Sequence, residues 1–71
     1  MRLNKIKEVL ESKGVSQKSL SDKLGVSVVT VNFWCNQKSQ PSLRTLFDIA
    51  SALDVSPDQL IQTDKKFNER R

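Results

Sequence analysis

The feature that most constrains this chain is a pair of short helix-forming segments separated by a four-residue break. The first segment covers about residues 17–24 and the second about residues 28–36. The break is Leu24-Gly25-Val26-Ser27, whose first residue also ends the first segment. Its glycine permits a tight turn and Ser27 can cap the next helix. The sequence therefore predicts two helices that are held at a fixed angle by a short turn.

The second of these segments has two different faces. At about 100° per residue, one side collects the residues expected in a core, which are Val31, Trp34 and Cys35. The other side collects a mixed polar and apolar set at i, i+3, i+4 and i+7, which is Val29, Asn32, Phe33 and Asn36. A helix with one packing face and one mixed face is suited to entering a DNA groove.

Length and composition exclude several classes of protein. Seventy-one residues predict one small domain, over residues 1–62, with a short basic tail over residues 63–71. The chain has no histidine, one cysteine, no Gly-rich phosphate loop and no metal-ligand cluster, so we expect no enzyme, no catalytic residue, no metal and no cofactor. A single cysteine and the lack of a long apolar run favour a cytoplasmic protein that does not interact with membranes.

The positive charge is concentrated in the first half of the chain. Residues 1–38 hold seven Lys or Arg against three acids, whereas residues 39–71 hold five of each, and the net charge is +4. The two-helix segment thus lies where a polyanion such as DNA would be contacted.

The remaining periodicity predicts an all-α fold of five helices. Gly14 can end the first helix, Ser16 can cap the second, Pro41 and Ser42 can open the fourth, and Ser56 can cap a short fifth helix. The expected core consists of the apolar positions that recur with helical spacing: Leu3, Ile6, Leu10, Leu20, Leu24, Val31, Trp34, Leu46, Ile49, Ala50, Leu53, Val55 and Leu60.

Two stretches of the chain resemble a known family. The first is V-S-Q-K-S-L-S-D-K-L-G-V-S-V-V-T-V-N-F-W and the second is K-S-Q-P-S-L-R-T-L-F-D-I-A-S-A-L-D-V-S-P-D-Q-L. Together they are similar to the phage-repressor and Cro-like helix-turn-helix proteins, often called the XRE family, over about residues 3–61. The resemblance implies a compact repressor-like domain that binds double-stranded DNA.

The resemblance also implies which residues contact DNA. Residues on the second helix of the motif would read bases, and these are Ser27, Val28, Val29, Asn32 and Phe33. Only Asn32 can make a bidentate contact with adenine, and the apolar readers suit thymine methyl groups, so we expect an A·T-biased site. Phosphate contacts are expected from residues around the motif, which are Gln17, Lys18, Asn36, Lys38 and Arg44.

One departure from the family lies directly after the reading helix. Gln37 stands where the family usually has glycine. A left-handed backbone there would cost glutamine about 1 kcal/mol more than glycine. Asn36 could take the left-handed position instead, which would move its side chain away from a phosphate.

We expect a small homodimeric transcriptional regulator, a repressor rather than an activator, on a palindromic operator and with no small-molecule ligand. One reading helix buries too little surface for tight binding, and a two-fold dimer would place two such helices about one DNA turn apart. The candidate interface residues are Phe47, Leu60 and Ile61. The alternatives are an antitoxin-like or other protein-interaction module, or the DNA-binding fragment of a longer regulator.

Overall fold

Four α-helices and one 3₁₀ turn make up the part of the chain that the computed structural model describes, residues 2–62. The helices are α1 (Ile6–Lys13), α2 (Gln17–Leu24), α3 (Val28–Cys35) and α4 (Leu43–Leu53). No β-strand forms between residues 2 and 62, so the predicted all-α class is confirmed. The predicted basic tail, residues 63–71, lies outside the described residues.

The prediction of a fifth α-helix is wrong. Its place is taken by a 3₁₀ turn, Pro57–Leu60, of only four residues. Ile61 has an extended backbone (φ −110°, ψ 132°), so no further turn can be added. Four residues are enough for i→i+3 hydrogen bonds, and 3₁₀ helices usually occur as short pieces of this length. The Gln59 side chain accepts a hydrogen bond from the backbone N–H of Ser56 at 3.1 Å and secures the start of the turn.

Serine side chains begin three of the four α-helices. Ser16, Ser27 and Ser42 each accept a hydrogen bond from the backbone N–H three residues later, at 3.0, 3.1 and 3.1 Å. Each bond satisfies one of the amide groups that an α-helix leaves free in its first turn. The predicted starts of α2, α3 and α4 are therefore confirmed.

All four α-helices end in the same way. In each, one residue adopts a left-handed backbone and the next N–H bonds to a carbonyl five residues earlier. Glycine fills the left-handed position after α1 (Gly14, φ 68°) and after α2 (Gly25, φ 71°). After α3 and α4 the position is filled by Gln37 (φ 62°) and Asp54 (φ 57°). Asn36 keeps φ −97°, so it does not take the left-handed position.

The core lies where the four helices meet. Its fully enclosed members include Ile6, Leu20, Val31, Ile49 and Leu60, all at 0% exposure. Truncating such a side chain to alanine costs a small domain about 2–5 kcal/mol. The sequence predicted this core correctly apart from one residue, although Leu24 and Val55 are only partly buried.

Leu3 is the wrong member of the predicted core, since it is 44% exposed. The helical spacing that suggested its burial does not apply, because α1 begins only at Ile6. Leu3 and Asn4 precede the helix, and the N–H of Lys5 donates to the carbonyl of Leu60 at 2.8 Å. The N–H of Gln62 donates to the carbonyl of Leu3 at 2.9 Å, beside an antiparallel bridge between Asn4 and Ile61. In an extended segment neighbouring side chains alternate in direction, so Asn4 points inward and Leu3 outward.

Asn4 and Ser21 are the buried polar residues among residues 2–62, and Asn4 is 3% exposed. Its Nδ2 donates to the carbonyl of Trp34 at 3.0 Å and to Oε1 of Gln40 at 2.7 Å. Its Oδ1 accepts from the N–H of Ile6 at 2.9 Å. Both ends of the amide are thus satisfied, as a buried polar group requires. Asn4 therefore links the start of α1 to the end of α3.

The helices described between residues 2 and 62 are all too short to cross a lipid bilayer. The longest, α4, has 11 residues, whereas a spanning helix needs about 20.

Candidate nucleic-acid interface

The turn between α2 and α3 sets the angle of the two helices. Gly25 takes the left-handed backbone that the turn needs, and the N–H of Val26 donates to the carbonyl of Ser21 at 3.1 Å. Ser21 is only 2% exposed, and its hydroxyl donates to the carbonyl of Lys18 at 2.7 Å. A small polar side chain at this position is thus buried without an unsatisfied group.

The two faces of α3 separate as the sequence predicted. Val31, Trp34 and Cys35 are buried, at 0%, 5% and 3% exposure. Val29 and Phe33 are 57% and 42% exposed on the other side, and Asn32 between them is exposed as well. We call Val29, Asn32 and Phe33 the α3 ridge. Its two apolar members remain about half exposed, and neighbouring exposed apolar side chains of this kind are candidates for an interaction site.

The two other predicted base readers lie at the start of α3. Val28 is 41% exposed, so it is not a core residue. Ser27 is exposed, but its hydroxyl already caps the helix and lies 3.0 Å from the hydroxyl of Thr30. The side chain of Ser27 therefore has a structural role whatever else it contacts.

A chain of three side-chain amides crosses the surface of α2 and α3. Nδ2 of Asn32 donates to Oε1 of Gln17 at 3.2 Å. Nδ2 of Asn36 donates in turn to Oδ1 of Asn32 at 3.2 Å. The first bond joins the first turn of α2 to the middle of α3, and the second joins residues one helical turn apart. Gln17, Asn32 and Asn36, predicted separately, therefore form one connected group, which we call the amide chain.

Lys38 lies at the end of the ridge. Its backbone N–H donates to the carbonyl of Phe33 at 2.9 Å, and its Nζ lies 5.9 Å from the centre of the Phe33 ring. This arrangement is a weak cation–π contact at an exposed site. It places a positive charge directly beside the apolar part of the ridge.

The other two predicted phosphate-binding residues form no hydrogen bond or ion pair with the ridge. Lys18 forms an ion pair with Asp22 at 2.9 Å on the exposed side of α2. Such a pair is worth little in water, but it partly neutralises the lysine. Arg44 is exposed in the first turn of α4 and forms no ion pair with another residue of the described chain. Of the predicted cations, only Lys38 is placed against the ridge.

Comparison with known proteins agrees with this geometry. A family model described as helix-turn-helix matches residues 6–60. The chain belongs to this helix-turn-helix family. The resemblance expected from the sequence is thereby confirmed. No curated protein matches the chain.

One solved structure is similar over nearly the whole molecule. It is the crystal structure of a candidate DNA-binding protein from Bacteroides fragilis, with 45% sequence identity and a TM-score of 0.84. The match covers 87% of the present chain and 100% of the other.

Sequence reasoning missed two polar residues that support the helix-turn-helix. Asn4 gave no signal, because an asparagine before a helix is ordinarily read as an exposed residue or a cap. Gln37 was noticed only as a departure from glycine. The side chain of Gln37 contacts the backbone of Leu3 and Asn4, more than thirty residues earlier in the chain. No local pattern in the sequence indicates such a contact.

The candidate dimer residues of this helix-turn-helix protein fall into two groups. Leu60 is at 0% exposure in the core, so it has no surface to offer a partner and that assignment is withdrawn. Phe47 and Ile61 are exposed, at 55% and 37%. Leu43, which the sequence analysis did not select, is 71% exposed and lies one helical turn before Phe47 on α4.

Proposed function

We propose that this protein is a small transcriptional regulator that binds double-stranded DNA and reads the major groove with α3. The observation that carries the proposal is the exposed α3 ridge, in which Val29 and Phe33 flank a polar asparagine. Surface apolar residues that are left uncovered in this way mark an interaction site, and membership of the helix-turn-helix family supports DNA as the partner.

The chemistry of the ridge favours A·T-rich sequence. Asn32 can donate to N7 and accept from N6 of adenine, whereas Val29 and Phe33 suit the methyl group of thymine. The ridge carries no arginine or lysine that could form a bidentate contact with guanine. We therefore propose an operator in which A·T pairs face the middle of α3. Essential guanines in both half-sites would contradict this assignment.

Repression by a homodimer is the form of regulation that we propose. Two copies on a palindromic site would double the surface buried on DNA and place two α3 helices about 34 Å apart. Leu43 and Phe47 form an exposed apolar pair on α4, and Ile61 is a further exposed apolar side chain. We propose that the Leu43–Phe47 pair, with Ile61 as a second candidate contact, and not Leu60, joins the two copies.

Selection from random duplex DNA at about 0.1–0.2 M salt tests the proposal, since the salt concentration sets the non-specific component of binding. We expect an enriched palindrome that binds at least about 1,000 times more tightly than scrambled DNA of the same length. Equal affinity for the selected and scrambled duplexes would refute sequence-specific binding. Stable capture of a protein partner without any enriched DNA site would favour the interaction-module alternative.

A further inference from the structure

The geometry points to Asn36 as a positioning residue that orients the base-reading amide of Asn32. This inference rests on the proposed DNA-binding function and replaces a simple phosphate contact as the main role of Asn36. It follows from the direction of the two hydrogen bonds in the amide chain, in which Asn36 donates to Asn32 and Asn32 donates to Gln17.

The hydrogen-bonding capacity of Asn32 decides what it can still do. A side-chain amide has two N–H donors and two acceptor lone pairs. The bond to Gln17 uses one donor of Asn32, and the bond from Asn36 uses one lone pair. One donor and one lone pair remain, and these are the two groups that a bidentate contact with adenine requires. The two neighbours therefore occupy half of the Asn32 amide and leave the half that reads a base.

The same bonds determine which way the Asn32 amide faces. If the amide rotated by 180°, its NH₂ group would meet the NH₂ group of Asn36, and its carbonyl would meet the carbonyl of Gln17. Two lost bonds and two repulsive contacts would result, unless Asn36 and Gln17 rotated as well. Within the described residues Nε2 of Gln17 donates to no acceptor, so it is available to a DNA phosphate. A phosphate there would hold Oε1 of Gln17 toward Asn32 and fix the direction of the whole amide chain.

Position on the helix favours a role for Asn36 that acts through Asn32. It is the capping residue of α3, one turn beyond Asn32 and at the far end of the helix from Val28. Its side chain is exposed, so removing it leaves no buried group without a partner. A loss of base discrimination after its removal would therefore report on Asn32 and not on the stability of the domain.

The test compares Asn32→Ala, Asn36→Ala and the double variant on the selected duplex and on duplexes with single base-pair changes. Asn32→Ala first identifies the base pair whose discrimination depends on Asn32. In the unmodified protein, changing that base pair should weaken binding by about 5-fold to 150-fold. At that base pair, Asn36→Ala should lower discrimination about threefold or more, and it should have no further effect once Asn32 is alanine. Unfolding in urea should show all three variants to be folded.

Asn36→Asp provides a stricter comparison of the same size. The aspartate can accept a hydrogen bond from Asn32 but cannot donate one, so it favours the reversed amide. We expect discrimination at the Asn32-dependent base pair to be as low as in Asn36→Ala or lower. Because discrimination is a ratio of affinities, the general repulsion between aspartate and DNA cancels.

Three outcomes would overturn the inference. One is a uniform loss of affinity for all duplexes in Asn36→Ala with a lower salt dependence, which is the behaviour of a phosphate contact. Another is unchanged discrimination in Asn36→Ala, and the third is the absence of any base pair that depends on Asn32. A protein that fails to distinguish selected from scrambled DNA would instead refute the proposed function itself.

Discussion

The side-chain amide of Gln37 hydrogen-bonds to both the N–H and the carbonyl of Asn4, as a backbone peptide group of a neighbouring strand would. Nε2 of Gln37 donates to the carbonyl of Asn4 at 3.0 Å, and Oε1 accepts from the N–H of Asn4 at 3.3 Å. Oε1 also accepts from the N–H of Leu3 at 3.0 Å. These bonds explain why a glutamine is tolerated at a left-handed position where glycine has no steric cost.

Replacing Gln37 by glycine should therefore destabilise the protein, although glycine suits the backbone better. Relief of the left-handed conformation stabilises the protein by about 1 kcal/mol, whereas each lost hydrogen bond costs about 0.5–1.5 kcal/mol. The change also leaves backbone groups around the buried Asn4 without a hydrogen-bond partner. We expect the free energy of unfolding in urea to fall by about 1–2 kcal/mol.

The matched control is Asp54→Gly at the other non-glycine left-handed position, where the side chain makes no hydrogen bond with the described residues. The free energy of unfolding of that variant should be unchanged or rise by up to about 1 kcal/mol, because the change also removes an acid from a helix C-terminus. A more stable Gln37→Gly would show that the amide bonds are dispensable.

Two valines on opposite faces of α3 should separate DNA binding from folding. Val29→Ala should change the free energy of unfolding by less than about 0.5 kcal/mol, because the side chain is 57% exposed. It should weaken binding to the selected duplex about fivefold through the lost apolar contact. Val31→Ala removes the same two methyl groups at 0% exposure and should cost about 2 kcal/mol of stability. Equal effects of the two changes on stability would mean that the α3 ridge is not exposed.

Lys38→Met tests the charge beside the α3 ridge while keeping an apolar stem against Phe33. We expect weaker binding to all duplexes alike and a slope of log affinity against log salt that is smaller by about one unit. Lys23→Met serves as the control, since Lys23 lies in a surface depression between α2 and α4 with Asp48. A change in base preference after Lys38→Met would contradict a phosphate role.

Phe47→Glu tests the proposed dimer surface on α4. The side chain is 55% exposed, so the variant should fold normally. A buried pair of glutamates at a two-fold interface would be strongly unfavourable, and sedimentation should show a monomer where the unmodified protein is a dimer. Leu43→Glu, one turn away, should behave in the same way. If both variants remain dimeric, the copies associate through another surface.

The buried cysteine should make stability fall at alkaline pH. Burial raises the pKa of the Cys35 thiol above its ordinary value. The Cys35 thiol then keeps its proton in the folded protein at pH values where the unfolded chain has released it. The free energy of unfolding is therefore unaffected by this group below the ordinary thiol pKa and declines as pH rises above it. Unfolding in urea at about pH 7 and about pH 10 should show this decline, and Cys35→Ala should reduce it. The same decline in both proteins would assign it to other groups.

Much of the fold could be predicted from the sequence because its signals are local. Serine before a helix and glycine after it act within three to five residues, so Ser16, Ser27 and Gly25 indicated where helices begin and end. Helical spacing separated the buried Val31 from the exposed Val29 because α3 is regular throughout. The exposed ridge follows from that spacing alone.

What could not be predicted depends on contacts between distant residues. Asn4 meets Gln37 and Ile61 only after the helices have packed, and nothing near Asn4 in the sequence indicates this. The same contacts hold Leu3 in an extended segment, which is why its spacing with Ile6 was misleading. The hydrogen bond between Asn32 and Gln17 likewise depends on how α2 and α3 approach each other.

The bridge between Asn4 and Ile61 brings residues 3 and 62 together. An affinity tag or a domain joined directly before residue 3 or directly after residue 62 would therefore start beside this bridge. Since Asn4 also binds the residues that follow α3, strain introduced by a fusion would reach the reading helix through Gln37. Affinities for DNA measured on tagged protein should therefore be compared with those of the tag-free chain.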